Sequence, residues 1–214
     1  MTRLRTLLIH PVPARSHSTG TGLRRPASPT PVSQAESPTG FVKALPGQTV
    51  NLLAGQLYFG TQAGTVRTLL GSCVALVLWH PQRHIGAMCH YLLPSRAQKH
   101  GPPDARFGTE AIALLVQALQ RSNTRPGEYQ AHLYGGADTM PERDGPSFNI
   151  GERNIAAGCA LIDQHGFDLQ AVDVGDFVPR TVTLDMRAGQ IDVRRGTSSM
   201  NQLKARPAPH AVRR

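Results

Sequence analysis

A chain of 214 residues with 40% apolar and only 5% aromatic content can bury one core but not comfortably two, so one folded domain is expected. Its formal charge of +9 gathers at the ends, in Arg3, Arg5, Arg15, Arg24 and Arg25 and again in Arg206, Arg213 and Arg214; no basic face with interleaved aromatics lies between, and no nucleic-acid partner is expected. Three cysteines, Cys73, Cys89 and Cys159, with no CxxC and no Cys/His metal spacing argue against a disulfide framework or a zinc site. The opening MTRLRTLLIHPVP is cut by Pro11 and Pro13 far below the length of a membrane span or signal core, so no membrane insertion is expected and the chain reads as cytoplasmic, where thiols stay reduced.

In chain order, residues 1–45 carry Pro11, Pro13, Pro26, Pro29, Pro31 and Pro38 among Ser, Thr, Gly and Arg with no apolar periodicity, and read as a disordered Pro/Arg-rich extension. Residues 46–195 form the domain. Thr49 to Gly60, Thr65 to Trp79 and Ile85 to Leu93 are apolar and rich in β-formers, which predicts strands. Phe107 to Ser122 sets Ala111, Leu114, Leu115, Ala118 and Leu119 on one side at helical spacing, and Ile150 to Gly166 reads as a second helix with Asn149 as cap and Gly166 as stop. Between them Gln130 to Tyr134 is a strand ending at Gly135-Gly136-Ala137, read as a tight turn in preference to a phosphate cradle. Leu169 to Val174 and a hairpin of Thr181 to Met186 with Gln190 to Arg194, turned at Ala188-Gly189, close the domain. Residues 196–214 read as a disordered basic tail. Strands, helix, strand, helix and strands make an α/β domain with much of its sheet antiparallel.

The segment Thr68 to Pro94, TLLGSCVALVLWHPQRHIGAMCHYLLP, carries the chemistry. If Pro81-Gln82 is the central pair of a tight hairpin, Cys73 lies opposite His90, where Cβ atoms are about 5 Å apart and a thiol can reach an imidazole. An extra residue in the turn would slip the register and turn His90 away. Gly71-Ser72 before the cysteine lets a carbonyl approach closely and leaves main-chain N–H groups for an oxyanion. Two readings of Cys73 stand side by side, a nucleophile or a small buried hydrophobe in a strand. Cys89 and Cys159 read as core, and His80 and His84, flanking the turn, as solvent-exposed.

GSCVALVLWHPQRHIGAMCHYLLP resembles the signature of the chemoreceptor glutamine deamidase family, CheD, of bacterial and archaeal chemotaxis. Arg106-Phe107-Gly108, Leu133-Tyr134-Gly135-Gly136-Ala137, Ile150-Gly151-Glu152-Arg153-Asn154 and Asp173-Val174-Gly175-Asp176 with Arg180 follow in the family's order, with Asp176 where a glycine often stands. The resemblance implies a layered α/β sandwich of largely antiparallel strands with two packed helices, similar to the deamidase domain of cytotoxic necrotizing factor toxins. It also implies a Cys-His-Thr site: Cys73 the nucleophile, His90 the base, and Thr68, five residues before the cysteine, the group that orients the base.

The implied reaction hydrolyses protein glutamine side chains to glutamate through a thioester on Cys73, with N–H groups near Gly71 and Ser72 holding the oxyanion, and needs no cofactor. Its substrate would be the helical cytoplasmic region of methyl-accepting chemoreceptors, with a CheC-type phosphatase as a further partner. Two rivals from other classes are a non-catalytic adaptor docking on the same partners, favoured by a neutral Cys73 buried without a base, and a nucleic-acid-binding module working through the basic tails.

Overall fold

The protein is described by a computed structural model for residues 40–98, 100–138 and 149–196. Most of the expected amino-terminal extension and carboxy-terminal tail lies outside the described residues. The fold is already present at Gly40: its carbonyl accepts the Leu57 N–H at 2.9 Å, Phe41 bridges Leu57, and Val42 is buried in the core, ahead of the expected start at residue 46.

Burial patterns sort the strands into layers. Strands β4 (Val74–His80) and β5 (Ile85–Tyr91) are buried at every position, which marks the centre of a sheet covered on both faces. Strands β3 (Thr65–Leu70) and β8 (Arg180–Asp185) alternate, with Val66, Thr68 and Leu70 and then Arg180, Val182 and Leu184 turned inward, which marks an outer sheet covered on one face. The first sheet also holds β2 (Leu57–Gly60), β6 (Gln130–Gly135) and β7 (Asp168–Val174), in the order β2-β5-β4-β6-β7. The second adds β1 (Thr49–Leu52) and β9 (Ile191–Arg195), in the order β1-β3-β8-β9. Only β1–β3 and β6–β7 pair in parallel among the described strands.

Helices α1 (Gly108–Arg121) and α2 (Ile150–His165) cover the far face of the five-stranded sheet. Leu76, Leu78, Cys89, Tyr91 and Leu133 point to the helices and meet Leu115, Leu119, Leu161 and Ile162. Ala75, Val77, Met88 and Tyr134 point the other way and meet Val50, Leu52, Val66, Leu70, Val182 and Leu184 of the second sheet. The described residues therefore form a three-layer sandwich of helices, sheet and sheet. Burying a leucine or valine in either core contributes about 1.5–3 kcal/mol, so both interlayer spaces hold the strands firmly in register.

The expected helices are present. Asn149 caps α2 by accepting the Glu152 N–H at 3.2 Å, and Gly166 ends it at φ 70°. Two expected strands divide. Thr49 to Gly60 breaks at Leu53–Gln56 and Thr65 to Trp79 at Gly71–Cys73, so β3 and β4 belong to different sheets. Gly55-Gln56 and Gly71-Ser72 mark these breaks, but the apolar residues on either side make each stretch read as one strand. His80 corrects another expectation: it is 4% exposed, packed edge-on against Tyr129 at 5.0 Å. His84 is exposed as expected, at φ 51°.

Candidate active site

The breaks at Leu53–Gln56 and Gly71–Cys73 open at the same end of the sandwich as the carboxyl ends of β1, β3 and β5. The β4–β5 turn is longer than expected: it spans Pro81–His84, closed by His84 N–H donating to the His80 carbonyl at 2.9 Å. Ala75, not Cys73, therefore faces His90 across the ladder. The error is two residues, and side chains alternate with period two, so Cys73 keeps the face of His90 but sits diagonally from it. Its packing agrees, since Cys73 lies against the cluster between the two sheets that also holds Ala75 and Val77.

His90 is 6% exposed. Its main chain is fixed by Gly55 N–H donating to its carbonyl at 2.7 Å and its own N–H donating to Gln56 at 3.1 Å. Across the intersheet space Thr68, inward-facing on β3, brings Oγ1 to 2.8 Å from His90 Nδ1. The same hydroxyl donates to the Leu52 carbonyl at 2.9 Å. A hydroxyl has one proton, and here Leu52 takes it, so Thr68 Oγ1 accepts from His90 Nδ1–H. This assigns the tautomer with the lone pair on Nε2, an atom that is buried without a hydrogen-bond partner among the described residues. Burial pushes the imidazole down to about 4, opposed in part by the Leu52 carbonyl, so the ring is neutral at pH 7 and able to accept a proton.

Cys73 is partly exposed, and burial raises its thiol while its own N–H opposes that. No hydrogen bond joins it to His90, whose Nε2 is unpartnered. Burial thus favours the neutral form of both the thiol and the imidazole at rest. Every carbonyl of the loop is taken: Gly71 by Ala137 N–H at 2.8 Å, Cys73 by Gly136 N–H at 2.8 Å, and Ser72 by Asn154 Nδ2 at 3.0 Å. The Ser72 N–H donates to no main-chain carbonyl among the described residues, and the Cys73 N–H is turned to its own thiol. Carbonyls bound and N–H groups clear of main-chain acceptors is the polarity a developing oxyanion requires.

Gly135-Gly136 proves to be part of this loop's support. Gly135 has φ 110°, and a Cβ there would collide with the Cys73 carbonyl. Its own carbonyl accepts from fully buried Arg180 at 3.2 Å; the guanidinium also pairs with Asp173 at 3.0 Å and donates to the Gly175 carbonyl at 2.8 Å. Asp176 takes the left-handed conformation, φ 68°, that a glycine would adopt there freely. Sequence reasoning gave no role to Arg180 or Asn154; their places in the family's spaced motifs were the only signal. Cys89 is core as expected, its thiol pushed up to about 12 by burial, and Cys159 packs beside the helical core while partly exposed.

Comparison with known proteins agrees with the residues. The family model described as CheD chemotactic sensory transduction matches residues 92–195. A protein of Pseudomonas syringae pv. tomato named probable chemoreceptor glutamine deamidase CheD is 38% identical over 157 residues, 72% of this chain and 94% of that one. A Pseudomonas fluorescens protein of the same name is 42% identical over 151 residues, 69% of this chain and 85% of that one. An archaeal protein of that name, from Methanococcus maripaludis, is 32% identical over 144 residues, 67% and 92% of the two chains. With most of each relative's length matched at this identity, the chain belongs to the CheD family.

Proposed function

We propose that this protein is a chemoreceptor glutamine deamidase that hydrolyses glutamine carboxamides to glutamate with Cys73 as nucleophile, His90 as base and acid, and Thr68 orienting the imidazole. The observation that carries the proposal is the neutral, buried His90, its tautomer set by Thr68 and its Nε2 unpartnered, on the side of the sheet where Cys73 stands.

The Cys73 proton passes to His90 Nε2 as the sulfur attacks the amide carbon. The carbonyl oxygen takes the negative charge between the Ser72 and Cys73 N–H groups. Collapse breaks the C–N bond, the imidazolium delivers its proton to the leaving nitrogen, and ammonia departs, leaving a thioester. Water then gives a proton to His90 and attacks the thioester; the product is glutamate and the thiol is restored. A cysteine suits a carboxamide, which is a poor electrophile, because sulfur stays strongly nucleophilic near neutral pH once its proton has an acceptor.

A chemoreceptor substrate is what the relatives are named for; the proposal places the glutamines on cytoplasmic helices of methyl-accepting chemoreceptors, where each event adds a negative charge to a helix face and can bias signalling. A cytoplasmic location and a CheC-type phosphatase as second partner belong to the same proposal. A non-catalytic adaptor is less well supported, since Cys73 is partly exposed and an unpartnered base stands on its side of the sheet. The test is intact-mass measurement of a receptor cytoplasmic fragment incubated with the protein, together with ammonia release. A mass gain matching amide-to-acid conversion supports the proposal, and its absence with folded protein rules it out.

A further inference from the structure

We propose that Asn154 is a positioning residue that holds the nucleophile loop open toward substrate, through one side-chain amide bonded to the main chain on both sides of the site. Its Nδ2 donates to the Ser72 carbonyl at 3.0 Å, one residue before Cys73, and to the Leu92 carbonyl at 2.7 Å, two residues after His90. The β4–β5 ladder ends at Val74 and Tyr91, so Ser72 and Leu92 lie where the two strands have parted. Two carbonyls there would otherwise lack ladder partners, and one NH2 group supplies both protons. The amide cannot be turned around, because its oxygen would then face two carbonyl oxygens.

The cost of this arrangement shows that the clamp is favoured over full satisfaction. Asn154 is fully buried, and its Oδ1 has no hydrogen-bond partner among the described residues. A buried acceptor left so is tolerated where something else holds the geometry. Here α2 is held by close approaches: a Cβ at Gly151 would collide with the Gly136 carbonyl, and a Cβ at Gly158 would lie 2.6 Å from the Tyr91 hydroxyl. That hydroxyl donates to the Asn154 carbonyl at 2.8 Å. With Ser72 drawn toward α2 and the Gly71 and Cys73 carbonyls bound at the β6 end, the peptide planes before and after Ser72 are set with their N–H groups clear of main-chain acceptors.

The inference rests on the proposed role of Cys73, and the experiment separates the two. Asn154→Ala is compared with Leu161→Ala, a core change on the same helix, in ammonia release from the receptor fragment, thermal unfolding, and iodoacetamide labelling of Cys73 located by peptide mass. We expect Asn154→Ala to lower kcat about tenfold or more with KM within about threefold, because misplacing a nucleophile affects the chemical step. Labelling of Cys73 should become about threefold faster, since a released loop exposes the thiol and relieves the burial that raises it. Leu161→Ala should lose stability without either change. Asn154→Asp should lie between and recover only in part as pH falls, because its buried carboxyl then has one proton to donate where the amide has two. The proposal is overturned if Asn154→Ala and Leu161→Ala lose activity in the same proportion to their loss of stability, or if Asn154→Ala leaves kcat and labelling unchanged. Should the wild-type protein release no ammonia, the function proposed above fails, and the labelling comparison still decides the clamp.

Discussion

Thr68→Val removes one oxygen from the site and keeps the shape of the side chain. Two buried groups lose a partner, His90 Nδ1–H and the Leu52 carbonyl, which the hydroxyl bridges at 2.8 and 2.9 Å. Each orphaned group costs about 1–3 kcal/mol, but the two can partly satisfy each other if the ring moves by the width of the lost bridge, so a total of about 1–3 kcal/mol is expected. That movement is what catalysis would feel, because it carries Nε2 away from the thiol and frees the tautomer. Loss of an orienting group in a triad slows turnover by up to about 10⁴-fold where it is a carboxylate; a neutral hydroxyl should cost about 10–100-fold in kcat. Thr68→Ser keeps the oxygen and should stay within about threefold. Ammonia release from a receptor fragment gives the rates, and urea midpoints give the stabilities. Turnover of Thr68→Val within twofold of wild type, or a Thr68→Ser as slow as the valine variant, would refute the tautomer argument.

Cys73→Ala should abolish deamidation while the fold melts near the wild-type temperature; retained turnover would end the thiol mechanism. Cys89, pushed up to about 12 in the helical core, should resist iodoacetamide in the native protein and react on unfolding, which peptide mapping can follow. Gly135→Ala should cost about 2–4 kcal/mol and most activity, because the residue needs φ 110° and the new methyl group meets the Cys73 carbonyl; a stable, active variant would show that the loop yields there.

Much of the fold was legible because burial wrote itself into residue type. Continuous apolar runs in β4 and β5 gave strands buried on both faces, and the spacing of Ala111, Leu115 and Leu119 gave α1. The site was legible in composition and not in register. Cys73, His90 and Thr68 could be named, but the four-residue turn at Pro81–His84 depends on His84 accepting a left-handed conformation, and histidine does not advertise that as glycine would. Asn154 was illegible for another reason: its role lies in bonds to the carbonyls of Ser72 and Leu92, far away in sequence, and carbonyls carry no residue identity.

The state of the resting pair sets how the enzyme should respond to pH. A base must be unprotonated to act, and His90 is held down to about 4 by burial, well below the ordinary histidine value of 6.5. The free enzyme therefore has its base ready throughout the neutral range, and kcat/KM should be flat there, with its acid limb near pH 4 in place of the limb near 6.5 that an exposed imidazole would give. The same burial links to stability. Unfolded, the ring takes a proton near 6.5; folded, only near 4; so between those values the unfolded state binds more protons and stability falls as pH falls. The contribution is fully present above pH 6.5 and amounts to about 3 kcal/mol at most, and His90→Gln should flatten that part of the curve. An acid limb near 6.5, or a His90→Gln variant with the wild-type dependence of urea midpoint on pH, would mean that the ring is hydrated and charged at rest. Cys73 would then be a standing thiolate beside an imidazolium, and its activation would not wait for substrate.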